Sequence, residues 1–205
     1  MNHLINYIVK NPFIHAKWLN TLSYLENAGA RKISSCEHKT EVDLIQLKHA
    51  AEEHRHAFYL KKQILKISEN SCPNYESNYL LAPYSTQQYL NRLDIETCRY
   101  LKNQFNISGN ELKYAAYLFV TYAIEVRADK LYPIYQDILT KNKQKVMVKS
   151  IILEEEGHLE EMISQLQKFH QDWKKYVLKI LEIENGLFNS WIKAIENELN
   201  YEDVN

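Results

Sequence analysis

The chain has 205 residues with 25 Lys or Arg against 26 Asp or Glu, a net charge of −1, so it lacks the basic excess of a nucleic-acid binder. Its three cysteines, Cys36, Cys72 and Cys98, form no Cys-x-x-Cys pair, which argues against a zinc or rubredoxin-type module and suits a reducing cytoplasm. No apolar run approaches the length of a membrane span, the first residues do not read as a signal peptide, and the length suits one helical domain over 1–205.

In chain order, Asn11-Pro12 is a helix start, a capping residue followed by proline at the first helical position, and a helical pattern runs on to about Ser35. Cys36-Glu37-His38-Lys39 reads as a short connection. Thr40 opens the next helix, with Asp43 three residues on in a capping-box-like spacing. A long crossover then spans Ile67 to about Ser108. Its first part, to Pro83, is polar and irregular, and Ser85 with Gln88 opens an extra helix to about Phe105. Ser108-Gly109-Asn110 breaks the chain before a helix around Glu125, Thr140-Lys141-Asn142 is the next turn, and another helix surrounds Glu155. A C-terminal helix or bent pair runs from about Asp172 to Leu199, with Trp173, Ile180, Leu187 and Trp191 on its apolar side. The four glycines and four prolines are expected outside these periodic stretches. The chain is therefore read as all-α, with a bundle over about 12–166 and a helical extension over about 170–200.

Two short motifs carry the chemistry: Glu53-His54-Arg55-His56 and Glu155-Glu156-Gly157-His158. Each is Glu-x-x-His, and positions i and i+3 share a helix face, so both side chains can reach one metal ion. In an antiparallel hairpin, residues equidistant from the loop lie side by side. Glu26 and Glu53 are equidistant from the first connection, and Glu125 and Glu155 from the turn at 140–142. Each hairpin thus sets a lone Glu level with the Glu of a Glu-x-x-His. In a four-helix bundle this ligand set holds two metal ions.

The faces agree. Val148, Ile151, Ile152, Glu155, His158 and Met162 form a stripe that is apolar except for the two proposed ligands, whereas Glu154, Glu156, Glu160 and Glu161 point elsewhere and stay solvated. A carboxylate buried alone on such a face is costly, and a metal ion satisfies all six groups together. The face of Glu53 is less clean, because it also carries Gln46 and His49. Gly29 and Ala30, one turn from Glu26, either leave space beside the metals or serve helix packing.

This order of six ligands resembles the ferritin-like di-iron carboxylate superfamily, which includes bacterioferritins, rubrerythrins and bacterial di-iron oxygenases. The resemblance covers roughly residues 12 to 166. It implies a bundle of two antiparallel hairpins, with Glu53 and Glu155 bridging two metals, Glu26 and Glu125 capping one each, and His56 and His158 completing each shell. His49, one turn before Glu53, is similar to the extra histidine ligand of di-iron arylamine oxygenases, though there it lies on the last bundle helix. It is read either as a ligand or as a hydrogen-bonded neighbour of the site. Asp129, one turn after Glu125, either holds a ligand histidine through its second ring nitrogen or pairs with a lysine from elsewhere. Tyr122, Tyr59 and Tyr24 lie within about a turn of ligands, Tyr122 being the candidate redox relay beside ordinary core packing.

Oxygen ligands with imidazole suit two irons, or a manganese–iron pair. The implied function is a cytoplasmic oxidase or oxygenase that uses dioxygen and an external electron donor on a small organic substrate, as a monomer or homodimer with no membrane or nucleic-acid partner. Iron handling by a cage-forming ferroxidase is the alternative. Position 52 is Glu, where bacterioferritins use methionine for haem. A rubrerythrin-like peroxidase is disfavoured by the absent cysteine module, and hydroxylation of transfer RNA by the lack of basic excess.

Overall fold

A computed structural model describes residues 1–69 and 71–201, apart from the side chain of Glu156. Among these residues there is no strand. Seven α-helices follow one another: α1 (Asn2–Lys10), α2 (Pro12–Ser35), α3 (Leu44–Ile64), α4 (Pro83–Phe105), α5 (Gly109–Lys141), α6 (Lys149–Phe169) and α7 (Trp173–Glu198). A single 3-10 turn lies at Ser77–Tyr79. None of the helices is long and apolar enough to cross a membrane.

Local chemistry sets the boundaries. Asn11 Oδ1 accepts from the backbone N–H of Phe13 (3.1 Å) and Ile14 (3.3 Å), and Pro12 fills the first helical position, as expected. The next helix does not open at Thr40. Asp43 is its cap, accepting from Ile45 N–H (2.9 Å) and Gln46 N–H (3.2 Å), while residues 40–42 extend the connection. Aspartate outranks threonine as a cap, which places the start three residues later. α4 instead opens earlier than Ser85, at Pro83, whose fixed φ suits the first turn. Ala82, before it, has φ +42° and donates its N–H to Glu198 at 2.7 Å. Gly109 opens α5 at φ +58°, a conformation costly for any residue with a Cβ.

Two features differ from the sequence-based expectations. α1 had no counterpart in the sequence reading, yet its i, i+1, i+4, i+5 pattern buries Leu4, Ile5, Ile8 and Val9. Pro133 lies inside α5, and Gly29, Gly157 and Gly186 lie inside α2, α6 and α7. Buried Leu131, Tyr132 and Tyr135 around the proline outweigh the single backbone bond it forgoes. Of the two forms expected for the C-terminal segment, one long helix is the form adopted.

Packing follows two hairpins. α2 lies antiparallel to α3, with Ser23 Oγ donating to Ala57 O (2.7 Å) near mid-helix and Gln46 Nε2 to Ile33 O (3.1 Å) near the loop. α5 packs on α6, and at their junction Gln136 Oε1 accepts from Val148 N–H at 2.8 Å. Ion pairs join α3 to α6 in descending register: Lys48 to Glu161 (2.7 Å) and Arg55 to Glu154 (2.7 Å). α4 and α7 pack together, α4 also leaning on α5. Both hairpins thus present one face to a common interior.

Candidate metal centre

The six side chains singled out by register converge there. Glu26 comes from α2, Glu53 and His56 from α3, Glu125 from α5, and Glu155 and His158 from α6. Five are buried, and Glu26 is half-buried. Ligand atoms of Glu53, Glu125, Glu155 and His158 lie within 4.8 Å of one another, and so do those of Glu26, Glu53 and His56. Glu53 belongs to both groups. Glu155 also spans them, with Oε1 3.1 Å from His56 Nδ1 and Oε2 3.5 Å from His158 Nδ1.

The electrostatics of the cluster are unfavourable without a cation. Burial, and then the carboxylates of Glu26, Glu155 and Glu125, drive Glu53 well above the usual carboxylate range. Burial and Glu155 do the same to Glu125. Glu155 is held below the usual carboxylate range in spite of burial, because Glu125 hydrogen-bonds to its anion and His158 and His56 pair with it as cations. Burial alone would lower both imidazoles; Glu155 and its neighbours outweigh it, lifting His56 to about 8, and Glu125 with Glu155 lifts His158 to about 11. Glu53 and Glu125 therefore hold their protons tightly, while the anion of Glu155 draws on the two imidazoles.

Among the described residues, five buried side-chain atoms have no hydrogen-bond partner, and three of them are His56 Nδ1, His158 Nδ1 and Glu125 Oε2. All three belong to the cluster. The nitrogen–oxygen separations of 3.1–3.5 Å there approach the roughly 3.0 Å between adjacent ligands of an octahedral ion held at about 2.1 Å. The residues fit a pair of cations. Orphaned polar atoms elsewhere in the core, on Trp18 and Thr97, are isolated and suggest no such site.

Each histidine is held from behind by the opposite helix. His56 Nε2 lies 2.8 Å from Glu154 Oε2 on α6, and His158 Nε2 lies 2.7 Å from Glu52 Oε2 on α3. Once a cation displaces the second proton, the one kept at Nε2 would leave the Nδ1 lone pair facing the cluster. Arg55 clamps Glu154 with two hydrogen bonds (2.8 and 2.7 Å) and approaches Glu52 at 3.6 Å. Glu154 was thus misread as solvated. The missed signal is the glutamate directly before each motif, in Glu52-Glu53 and Glu154-Glu155. The expectation for Glu156 lies outside the described residues.

Other expectations divide. Asp129 is exposed, so it does not hold a ligand histidine; its position at the margin of the α5 stripe turns it to solvent. His49 is fully buried, and both its nitrogens are engaged, Nε2 with Glu161 (2.9 Å) and Nδ1 with Tyr117 (3.0 Å). It packs its ring against that of His158, centroids 4.8 Å apart, makes no hydrogen bond to it, and lies outside both ligand groups. Glu161 is its partner, a second carboxylate not left to solvent. Tyr122 turns toward α7, meeting Trp173 edge-on at 5.8 Å, and Tyr59 donates to Met147 O at 2.9 Å. Tyr24 packs on Tyr75. The tyrosine that reaches a ligand is Tyr132, whose hydroxyl donates to Glu26 Oε1.

Beside the cluster lies a cavity of about 100 Å³, with Glu26, Glu53 and Glu125 in one wall and α4 and α7 closing the other. Its remaining walls are mostly apolar, with Leu22, Val120 and Ile124 among them. A Cβ added to Gly29, which lines it, would meet nothing within 4 Å. The charged groups at its margin are already paired: Lys32 with Asp94 (3.2 Å), and Arg127 with Glu184 (2.8 Å). Comparison of the chain with protein-family models, curated proteins and solved structures finds no match, so the candidate metal centre is defined by its own residues.

Proposed function

We propose that Glu26, Glu53, His56, Glu125, Glu155 and His158 hold two first-row metal ions, iron first and manganese–iron second, and that the protein is a ferritin-like di-iron oxidoreductase. Its reaction is oxidation of a small organic molecule at the expense of dioxygen and an external electron donor. The observation that carries this reading is the convergence of two orphaned imidazole nitrogens and an orphaned carboxylate oxygen in one buried cluster, three of whose carboxylates, Glu26, Glu53 and Glu125, line an apolar cavity. The ferritin-like assignment rests on ligand identity and order, Glu, Glu-x-x-His, Glu, Glu-x-x-His, along two helical hairpins.

Bound metals would supply electrons to dioxygen, chemistry no side chain here can perform alone. The protein does the rest. Glu52 and Glu154 fix the tautomer of His158 and His56, so that neutral Nδ1 atoms face inward. Tyr132 holds one oxygen of Glu26 and leaves the other for the centre. The four carboxylates balance the charge of two divalent ions. The cavity admits an apolar molecule beside Glu26, Glu53 and Glu125 and offers it little competing water.

Oxygen uptake after anaerobic ferrous loading tests the reading, with wild type compared against Glu53→Ala and size-exclusion chromatography run in parallel. Uptake by the wild type alone, in a monomer or dimer, supports it. Equal uptake by both proteins would place the oxygen reaction elsewhere. Uptake proportional to added iron, with a ferric core inside a large shell, would assign the protein to iron storage.

A further inference from the structure

Four aromatic rings form a column through the core, outside the metal centre. Tyr89 of α4 stacks on Trp191 of α7, with centroids 5.6 Å apart and planes at 10°. Trp191 stacks on Trp18 of α2 at 5.7 Å and 18°, and Trp18 meets Tyr135 of α5 edge-on at 6.2 Å. All four are buried. Hydrophobic packing explains buried aromatics, but it does not require that each terminal phenol face a proton acceptor. Tyr89 donates to Glu184 at 2.6 Å, a carboxylate held by Arg127, and Tyr135 Oη lies 2.7 Å from His15 Nε2, which accepts its proton in the Nδ1–H tautomer. Burial pushes His15 down to about 4, so its imidazole is neutral and free to accept.

The column begins at the cavity and ends away from it. Tyr89 and Trp191 share the cavity wall with Glu26, Glu53 and Glu125. Tyr135 lies three residues after Tyr132, the tyrosine bonded to Glu26, on the same face of α5.

We propose that this Tyr89–Trp191–Trp18–Tyr135 column carries an oxidising equivalent from the cavity to Tyr135. In the step, Tyr135 loses one electron and one proton. The electron passes through Trp18, Trp191 and Tyr89 in turn to a one-electron oxidant at the cavity, which is reduced by one; the metal centre, if it reacts with dioxygen, would supply that oxidant. The phenolic O–H bond breaks and its proton joins His15 Nε2, leaving a neutral tyrosyl radical beside an imidazolium. The route gives the oxidant an exit other than the cavity lining. For its natural oxidant the inference rests on the dioxygen reading above.

Two measurements test it. Ferrous-loaded protein is exposed to dioxygen without substrate, frozen, and examined by electron paramagnetic resonance. A tyrosyl signal is expected that is lost in Tyr135→Phe and Trp18→Phe, shorter-lived in His15→Gln, and kept in Tyr84→Phe, an exposed control. Peptide mapping of Trp191→Phe should show increased oxidation at Phe188 and Leu22 in the cavity wall. Oxygen uptake with a signal indifferent to Tyr135→Phe would overturn the column and leave the dioxygen reading standing. The second measurement needs no metal. The apoprotein is flash-oxidised by photogenerated ruthenium(III) tris-bipyridine, and a persistent tyrosyl signal dependent on Tyr135 and Trp18 is expected. Absence of that dependence overturns the proposal, whereas its presence without oxygen uptake in the first measurement would refute only the dioxygen reading.

Discussion

Glu154 on α6 holds His56 on α3 at 2.8 Å, and the relation is reciprocated by Glu52 and His158 at 2.7 Å. Each helix therefore orients the ligand of its neighbour, and a change in one hairpin is felt in the other. Glu154→Gln keeps the shape but no longer accepts the Nε2 proton as an anion. Metal affinity is expected to fall on the order of 10–100-fold, and Glu52→Gln should behave alike. Asp129→Asn, at an exposed position, should leave it unchanged. Anaerobic ferrous titration of the three variants checks the ordering; an Asp129 variant as weak as the other two would contradict it.

Metal content should be about two ions per chain. Glu53 is common to both ligand groups, so Glu53→Ala should abolish paired binding. His158→Ala removes one neutral donor from one group and should lower affinity less. Metal analysis after anaerobic reconstitution decides; stoichiometry near zero in the wild type would remove the basis of the proposed function.

The six clustered side chains were legible because hairpin register and i, i+3 spacing are properties of the sequence itself. Helix positions came close for the same reason, with Asn11-Pro12 and Ser108-Gly109 marking real boundaries. The cap at Asp43 needed a comparison of two competing acceptors, Thr40 and Asp43, only one of which the chain uses. Long-range partners were less accessible. Glu154 lies off the apolar stripe of its own helix, so a one-helix reading turns it to solvent, and only the approach of α3 shows it facing His56. Asp129 failed in reverse, being on the stripe by count but beyond the edge that the neighbouring helices cover. Tyr132 and Tyr122 both lie on that stripe, and the packing of α7 against α5 decided which one meets a ligand.

The metal-free protein should lose stability as pH rises. Glu53 and Glu125 are held above their unfolded value of 4.5 by burial and neighbouring carboxylates, so each binds its proton more tightly when folded. Their contribution is present below 4.5 and lost as pH climbs through their folded values. His56 has the same sign: its stabilisation is full below 6.5 and lost as pH passes about 8. Glu155, held low, contributes above 4.5 and loses that only in acid. Metal binding instead favours deprotonated ligands. The gap in melting temperature between manganese-loaded and metal-free protein should therefore widen from pH 6.5 to about 9. A gap that narrows over that range would refute the account.

Gly29→Ala should stabilise the fold while narrowing the cavity. The added Cβ meets nothing within 4 Å, and the position lies inside α2. Replacing a mid-helix glycine gains roughly 0.5–1 kcal/mol. A larger side chain, as in Gly29→Leu, would enter the cavity and should weaken substrate binding with metal stoichiometry intact. Thermal melts, metal analysis and turnover separate these effects, and loss of metal in Gly29→Ala would show that the space belongs to the ligands instead.

Glu184 should be the costliest single carboxylate to remove outside the metal centre. It is buried, accepts from Tyr89 at 2.6 Å, and forms two hydrogen bonds with Arg127 at 2.9 and 2.8 Å. Arg127 in turn lies 3.8 Å from the Phe188 ring centroid, so the guanidinium is boxed in on one side. Glu184→Ala strands a cation and a phenol together, at a cost of about 3–5 kcal/mol. Tyr89→Phe leaves the ion pair intact and should cost about 1 kcal/mol. The double variant Glu184→Leu with Arg127→Met replaces both charges with apolar groups and should recover much of the loss. Denaturant unfolding of the set tests this, and a Glu184→Ala cost no greater than that of Tyr89→Phe would mean that water reaches Arg127 after all. Ferrous binding should be unaffected throughout, because the pair touches the cavity margin rather than the six ligands.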